Sequence, residues 1–143
     1  KEVGQGMGPK SLEALLKLNI AGIEFGAFGG TNFAQLELLR SDEPKQEVFK
    51  PLVEIGHTAE EMVSFLNNFP SALMKDKNII ISGGISDWLL GYYLIKKSKY
   101  PAIFGQASAF LKYALNDYSD LQTYVSNLKN GLLLANTYLT IRT

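Results

Sequence analysis

Apolar residues along the chain form two patterns, short continuous runs and longer stretches with helical spacing. The short runs predict strands of a parallel sheet, and the three consecutive isoleucines at 79–81 are typical of a strand buried on both faces. These runs cover residues 21–26, 51–56, 78–82 and 102–105. Apolar positions three or four apart predict helices at residues 9–18, 31–40, 87–97, 107–115 and 120–138. The polar, charged segment 41–50 is predicted to be a loop.

One further helix is predicted from its start signal. Thr58 is followed three residues later by Glu61, the pattern of a capping box, in which each side chain satisfies a backbone N–H at the other residue. The helix after it is predicted to bury Met62, Phe65 and Leu66.

The alternation of strands and helices predicts an α/β fold with a parallel sheet and right-handed crossovers. Nearly every predicted strand ends in glycine, at Gly4, Gly26, Gly56, Gly83 and Gly105. In a (β/α)8 barrel the ligand loops lie at that end of the strands. Four strand–helix units, with the tail of an earlier strand at residues 1–4, make just over half of a barrel of ~250 residues. An open doubly wound sheet is the alternative, because the pattern does not show whether the sheet closes.

Composition narrows the classes of function. The chain has 143 residues, 46% of them apolar and 20% charged, which is typical of one globular domain or part of one. Fourteen basic and fourteen acidic residues cancel, and this argues against nucleic-acid binding. The absence of cysteine excludes thiolate chemistry and favours a reducing compartment, and no apolar run reaches the length of a membrane helix. Lys1 opens the chain where a strand is expected, which predicts a chain that begins inside an element.

Two glycine turns follow successive strands and carry the strongest chemical signal. They are the segments 82–86 and 104–107, and each allows the backbone to approach a ligand closely. Turns after the last two strands of a barrel commonly bind phosphate, together with the free N–H groups of a helix start. The alternative is that the glycines only make tight turns. Neither segment matches the P-loop pattern of nucleoside triphosphate binders.

Four other residues have a chemical and a structural interpretation. Thr31 ends a third glycine turn, where its hydroxyl can contact a ligand or cap the next helix. Lys1 can stabilise negative charge on a ligand or lie in water. Glu24 shares a strand face with Gly22 and Gly26 and is predicted to pair with Lys1. The single histidine, His57, is a weak candidate for a general base and fits a solvated flank better. With no Cys and one His, no transition-metal site is predicted.

Four motifs, in the order in which they occur along the chain, resemble motifs of one enzyme family. They are K-E-V-G-Q-G-M at residues 1–7, G-G-T-N-F-A at 29–34, S-G-G-I at 82–85 and Q-A-S-A-F-L at 106–111. The series closely resembles the C-terminal part of type 2 isopentenyl-diphosphate isomerase, an FMN-dependent (β/α)8 barrel. The resemblance implies that residues 1–143 form about strands 4–8 of a single FMN-binding barrel domain.

The resemblance also implies roles for particular residues. Lys1 corresponds to the lysine that contacts the flavin ring, where it would stabilise charge on the flavin, and Thr31 corresponds to a threonine that contacts FMN. The residues that correspond to the phosphate-binding turns act mostly through main-chain groups: Gly83, Gly84, Ile85, Gly105, Gln106 and Ala107. Two positions depart from the family. Gly26 stands where the family commonly has serine, and Ser86 where it commonly has arginine.

The implied parent enzyme interconverts isopentenyl and dimethylallyl diphosphate, with reduced flavin as acid and base. NADPH is implied as the reductant and Mg²⁺ as a second cofactor, whose Gln-Glu site lies in the family's N-terminal half and outside this chain. The chain alone is therefore expected to be inactive, and the full-length protein to be a cytoplasmic homo-oligomer. The alternatives are another FMN barrel, such as a 2-hydroxy-acid oxidase, and a non-catalytic flavin-binding or structural fragment.

Overall fold

Three parallel strands form the centre of the fold. The computed structural model describes residue 1 and residues 3–142. Strands β1 (Gly22–Glu24), β2 (Asn78–Ser82) and β3 (Ala102–Gly105) form one sheet in the order β1-β2-β3. Both neighbouring pairs are parallel, with Ile23 opposite Ile79 and Ile80 opposite Ile103. Three of the four complete predicted strands, and the parallel sheet, are thereby confirmed.

Helices occupy the segments between and after the strands. They are α1 (Pro9–Leu16), α2 (Phe33–Leu39), α3 (Glu43–Phe49), α4 (Ala59–Asn67), α5 (Trp88–Lys97), α6 (Ser108–Ala114) and α7 (Tyr118–Tyr138), with 3-10 turns at Lys50–Glu54 and Ser71–Met74. The capping box at the start of α4 is confirmed, because Glu61 N donates to Thr58 Oγ1 at 3.2 Å and Thr58 N donates to Glu61 Oε2 at 2.7 Å.

Two predictions for residues 41–56 are wrong. The expected loop contains helix α3, and the expected strand at 51–56 is mostly a 3-10 turn. Pro44 and Pro51 each lie in the first turn of a helical segment, where the proline ring favours helical φ and the missing N–H costs nothing. Leu52 and Ile55 are 47% and 64% exposed, so the apolar run does not enter the sheet. Gly56 therefore ends no strand.

The expected tail of an earlier strand is also absent from the described residues at this end of the chain. Lys1, Val3 and Gly4 lie outside any strand, and Glu2 lies outside the described residues. The amide of Gly6 donates to Gly26 O at 3.0 Å, which joins this segment to the end of β1 as a loop.

The core lies on one face of the sheet. Ile23, Phe25, Ile79 and Ile81 are all 5% exposed or less, and they form one buried cluster with residues of α1, α4 and α5. The helix residues of this core share nearly complete burial: Leu12, Leu16, Met62, Val63, Leu66 and Leu94. Since burying a large apolar side chain stabilises a fold by roughly 1.5–3 kcal/mol, this layer holds the strands together.

The opposite face of the sheet is largely uncovered. Along β2, exposed and half-buried residues alternate with buried ones, and Ile103 of β3 is 62% exposed on the open face. Parallel sheets are normally covered on both faces. The α/β fold with its small parallel sheet is thus consistent with part of a barrel. Within residues 1 and 3–142, no helix combines the length and apolar character needed to span a bilayer.

The long helix α7 packs on the outside, against α5 and α6. Its contact with α5 is close, because a Cβ at Gly131 would lie 2.5 Å from the Trp88 ring. Gly131 is therefore the position at which the two helices approach each other.

Candidate functional site

The loops after the three strands meet at one edge of the sheet. Ser82, the last residue of β2, connects the first two of these loops, since Gly26 N donates to Ser82 Oγ at 3.1 Å and Ala27 N donates to Ser82 O at 2.8 Å. Carboxyl ends of parallel strands are where α/β folds form ligand sites. The sequence-predicted positions lie mainly in these loops.

Lys1 and Glu24 form an ion pair on the uncovered face, as predicted from the strand alternation. Lys1 Nζ donates to Glu24 Oε1, and Ser82 Oγ donates to the same oxygen at 3.1 Å. The bond from Lys1 is the main cause of a lowered pKa of the Glu24 carboxyl, with Ser82 adding to it against partial burial. Glu24 is thereby kept ionised, and it holds the ammonium group beside the sheet.

A shallow cavity of about 300 Å³ adjoins this ion pair on the uncovered face. Its lining comes from β1, β2 and the terminal lysine: Lys1, Ala21, Gly22, Ile23, Glu24, Asn78 and Ile80. Charged and apolar groups thus share a concave surface at the place where the sheet has no covering layer.

The glycine turns pack against each other. Gly83 and Gly84 have φ of +89° and +69°, conformations that side chains other than glycine rarely adopt. A Cβ at Gly83 would lie 2.1 Å from Ala27 O, and one at Gly84 would lie 2.6 Å from Phe28 O. Both glycines are required by the packing of the two loops, whatever else they contact.

Thr31 follows the same glycine loop and is exposed. The helix cap belongs to its neighbour, because Asn32 Oδ1 accepts from Gln35 N at 2.9 Å at the start of α2. The capping interpretation of Thr31 is therefore wrong, and its hydroxyl makes no hydrogen bond within residues 1 and 3–142.

The turn after β3 is tied to its neighbour by a side chain. Gln106 Nε2 donates to Ile85 O at 3.1 Å, and Tyr124 of α7 donates to Gln106 Oε1 at 3.0 Å. The Gln106 side chain thus bridges the two turns that were predicted to bind phosphate. Gly105 and Ala107 flank it, and a Cβ at Gly105 would make only ordinary contacts, the nearest at 3.6 Å.

The expectation that both helix starts offer free N–H groups is wrong for α5. Asp87 Oδ1 accepts from Leu89 N and Leu90 N, each at 2.9 Å, and Ser86 Oγ donates to Asp87 Oδ2 at 2.7 Å. The bonds from Leu90 N and then Ser86 are the largest causes of a lowered pKa of the Asp87 carboxyl. A negative charge therefore caps α5, whereas α6 begins without a side-chain cap.

A cavity of about 360 Å³ lies beside these turns. One of its lining residues, Lys112, was not among the site residues predicted from the sequence. Its lining consists of Ser86, Ser108, Ala109, Lys112, Tyr113 and Tyr124. Tyr113 and Tyr124 stack with ring centroids 4.5 Å apart and form an aromatic wall. Lys112 lies four residues after Ser108 and so on the same helix face, a spacing that was visible in the sequence.

His57 has a structural environment. Its amide donates to Gln5 O at 2.7 Å, and its carbonyl accepts from Phe28 N at 2.8 Å, so its backbone links two loops. Its half-buried ring lies edge-on to Phe65 with centroids 5.2 Å apart. The sequence favoured a solvated flank, whereas this ring is packed on one side against Phe65 and its backbone has a structural role.

Comparison with known proteins shows which enzymes the chain resembles in sequence. The chain is 34% identical over 90 residues to the isopentenyl-diphosphate delta-isomerase of Bacillus pumilus (strain SAFR-032), covering 62% of this chain and 23% of that protein. It is similar to isopentenyl-diphosphate delta-isomerases. The protein of that name from Lactococcus lactis is 37% identical over 89 residues, 60% of this chain and 22% of that protein. No family model matches the chain.

A longer match extends the similarity to most of the chain. The isopentenyl-diphosphate delta-isomerase of Rickettsia peacockii (strain Rustic) is 27% identical over 138 residues, which are 93% of this chain and 39% of that protein. The chain thus spans well under half the length of the curated relatives that it matches. The resemblance read from the motifs is confirmed as a resemblance to part of such a protein.

Proposed function

We propose that this chain is the FMN-binding part of a type 2 isopentenyl-diphosphate isomerase, which interconverts isopentenyl and dimethylallyl diphosphate. The observation that carries the proposal is the convergence of the family-like motifs at one edge of the sheet. Ser82 bonds to the loop that leads to Thr31, and Gln106 bonds to Ile85. These hydrogen bonds bring together motifs that are far apart in sequence.

The residues present fit the phosphate end of FMN in chemical character. Beside the turns of Gly83–Ile85 and Gly105–Ala107 lies a cavity with a lysine, hydroxyl groups and an aromatic wall. The main-chain groups of these six residues would hold the phosphate, and Lys1 and Thr31 would contact the flavin ring. The reduced flavin, when bound, supplies the acid and base chemistry of the isomerisation.

The chain's own contribution to that chemistry is electrostatic. Glu24 holds the ammonium group of Lys1 in place, and Ser82 fixes the carboxylate from the second side. A positive charge held in advance stabilises negative charge that develops on a bound group, at no cost of reorganisation during the reaction. Ile80, which lines the cavity beside this pair, would limit water once the uncovered face is enclosed.

The proposal extends to fold and assembly. We propose that the uncovered sheet face becomes the interior of a (β/α)8 barrel when the N-terminal half, with its Mg²⁺ site, is present. An isolated segment with an open sheet should then aggregate or unfold without a cooperative transition in urea. The full-length protein would use NADPH as reductant and act as a homo-oligomer in the cytoplasm. The segment alone would be inactive.

The decisive experiment uses the purified full-length protein. A yellow protein with a flavin spectrum, releasing FMN on denaturation and converting isopentenyl to dimethylallyl diphosphate after prereduction, is the expected result. Oxygen consumption with 2-hydroxy acids and no isomerisation would instead support the oxidase alternative. A colourless protein that does not bind added FMN would contradict both flavoenzyme functions.

A further inference from the structure

The cavity beside the two glycine turns contains a cation that no carboxylate balances. Ion pairs hold Lys1, Lys17 and Lys97 to glutamates, whereas within residues 3–142 Lys112 has no acidic partner. Its ammonium group lies over the ring of Tyr113, 5.7 Å from the ring centroid. This charge is therefore available to a ligand in the cavity.

Two hydroxyl groups around the same cavity are also available. Ser108 and Tyr113 line it, and neither hydroxyl donates to an acceptor in the part of the chain that the structure describes. Ser86, by contrast, donates its hydroxyl to Asp87. One cation and two free hydroxyl groups make a set of donors that suits a phosphate oxygen.

Asp87 places a negative charge beside the cavity wall, because its carboxylate accepts a hydrogen bond from Ser86 of that wall. Its carboxylate is adjacent in sequence to Ser86 of the cavity wall, and its pKa is lowered, mainly by the bond from Leu90 N. A phosphate beside an ionised carboxylate is disfavoured unless a positive charge compensates. The position after the S-G-G-I turn holds the uncharged Ser86, so a compensating positive charge has to come from another element. Lys112 on α6 is the lysine that lines the cavity.

We infer that Lys112 is the phosphate-binding cation of this site and selects phosphorylated over unphosphorylated flavin. This inference rests on the proposed function, because it assigns the phosphate to FMN. The same phosphate chemistry could also come from the diphosphate of the substrate, and the experiment separates the two sources.

The test compares FMN with riboflavin in the full-length protein. We expect Lys112→Ala to weaken FMN binding about ten- to a hundredfold, the loss of one charge-assisted hydrogen bond, and to leave riboflavin binding unchanged. Lys112→Arg should retain most of the preference for FMN. The matched control is Lys99→Ala, which removes a lysine that also lies over the following tyrosine ring, at 5.9 Å, outside the cavity.

The outcomes of these binding measurements distinguish a failure of the Lys112 assignment from a failure of the proposed function. An unchanged ratio of FMN to riboflavin affinity in Lys112→Ala would overturn the inference and leave the proposed function intact. An unchanged ratio with a tenfold higher KM for isopentenyl diphosphate would assign Lys112 to the substrate and likewise overturn it. If the unmodified protein binds neither flavin, the proposed function fails, and this assignment of Lys112 fails with it.

Discussion

The hydroxyl of Ser82 donates a hydrogen bond of 3.1 Å to Oε1 of Glu24, across neighbouring strands on the uncovered face of the sheet. The same carboxylate oxygen accepts from Lys1, and the same hydroxyl oxygen accepts from Gly26 N. The end of β2 thereby positions both the ion pair and the loop that follows β1. The side chains expected to act on the flavin are thus linked to the turn expected to bind its phosphate.

Removing Lys1 should affect reduced flavin more than the fold. In the full-length protein we expect Lys1→Ala to raise the activation free energy of isomerisation by roughly 2–4 kcal/mol, the cost of losing one preorganised donor. The measurements are turnover with saturating prereduced FMN and the flavin midpoint potential. Lys17→Ala is the control, since it removes an exposed lysine paired at 2.8 Å with Glu13 on α1. Normal turnover and an unshifted potential in Lys1→Ala would favour the alternative, a lysine that lies in water.

The two glycines at the strand ends should differ in tolerance to alanine. Gly83→Ala places a methyl group 2.1 Å from Ala27 O at φ +89°, so we expect it to destabilise the full-length protein by about 3 kcal/mol. Gly105→Ala meets nothing closer than 3.6 Å and should change the free energy of unfolding by less than about 1 kcal/mol. Urea unfolding measures both.

This difference also decides how flavin binding at the turns can be tested. Gly84→Val would confuse lost binding with misfolding, because a Cβ at Gly84 lies 2.6 Å from Phe28 O at φ +69°. Gly105→Val is the better probe of backbone approach, provided that its unfolding transition matches that of the unmodified protein. Equal destabilisation by alanine at Gly83 and Gly105 would contradict the packing described for the turns.

Gly131→Ala should separate α7 from α5. Alanine favours a helix over glycine by up to about 1 kcal/mol, but its Cβ would lie 2.5 Å from the Trp88 ring, and overpacking typically costs about 1–3 kcal/mol. We expect net destabilisation and a red shift of the fluorescence of Trp88, which is the one tryptophan of this chain. Asn130→Ala, at an exposed neighbouring position, serves as the control. A stabilised Gly131→Ala protein would show that helix propensity outweighs the contact.

The hydrogen bond between Tyr124 and Gln106 should contribute about 1 kcal/mol to stability. We expect Tyr124→Phe and Gln106→Ala each to destabilise the full-length protein, and the double variant to lose less than the sum of the two. Burial is the largest cause of a raised pKa of the Tyr124 phenol, so its hydroxyl stays protonated and donates across the neutral range. Strict additivity in urea unfolding would mean that the 3.0 Å contact does not couple the two residues.

Asp87 should stabilise the protein in a pH-dependent way. Because hydrogen bonds lower its pKa below the ordinary 3.8, its ionised form favours the folded state. That contribution is fully present above pH 3.8 and declines as the pH falls through the lowered folded pKa. We expect Asp87→Ala to cost about 1 kcal/mol at pH 7, while Asp87→Asn retains most of the cap.

The measurement is the free energy of unfolding from pH 7 to pH 3. The difference between the unmodified protein and Asp87→Asn should be constant near neutral pH and shrink in acid. A difference that grows toward acid would contradict the sign derived from the lowered pKa.

Features that depend on near neighbours in the chain were predicted correctly. The capping box of Thr58 and Glu61 needs only a three-residue spacing, and the apolar run of β2 needs only its own residues. The alternation of side chains along a strand also placed Glu24 on the face where it pairs with Lys1, although the strand expected at residues 1–4 is absent from the described residues. The motif order was enough to identify the similarity to isopentenyl-diphosphate delta-isomerases.

Features that depend on residues distant in the sequence could not be predicted in this way. The run at 51–56 resembles a strand, but a strand exists only where another strand pairs with its N–H and C=O groups, and this segment instead continues from α3 into a 3-10 turn. Lys112 and Ser86 are far apart in sequence, and only the packing of α6 beside the turn after β2 places them on one cavity. The spacing of residues within a segment indicates which conformation that segment favours. The segments that it packs against are decided by burial and hydrogen bonding across the whole fold.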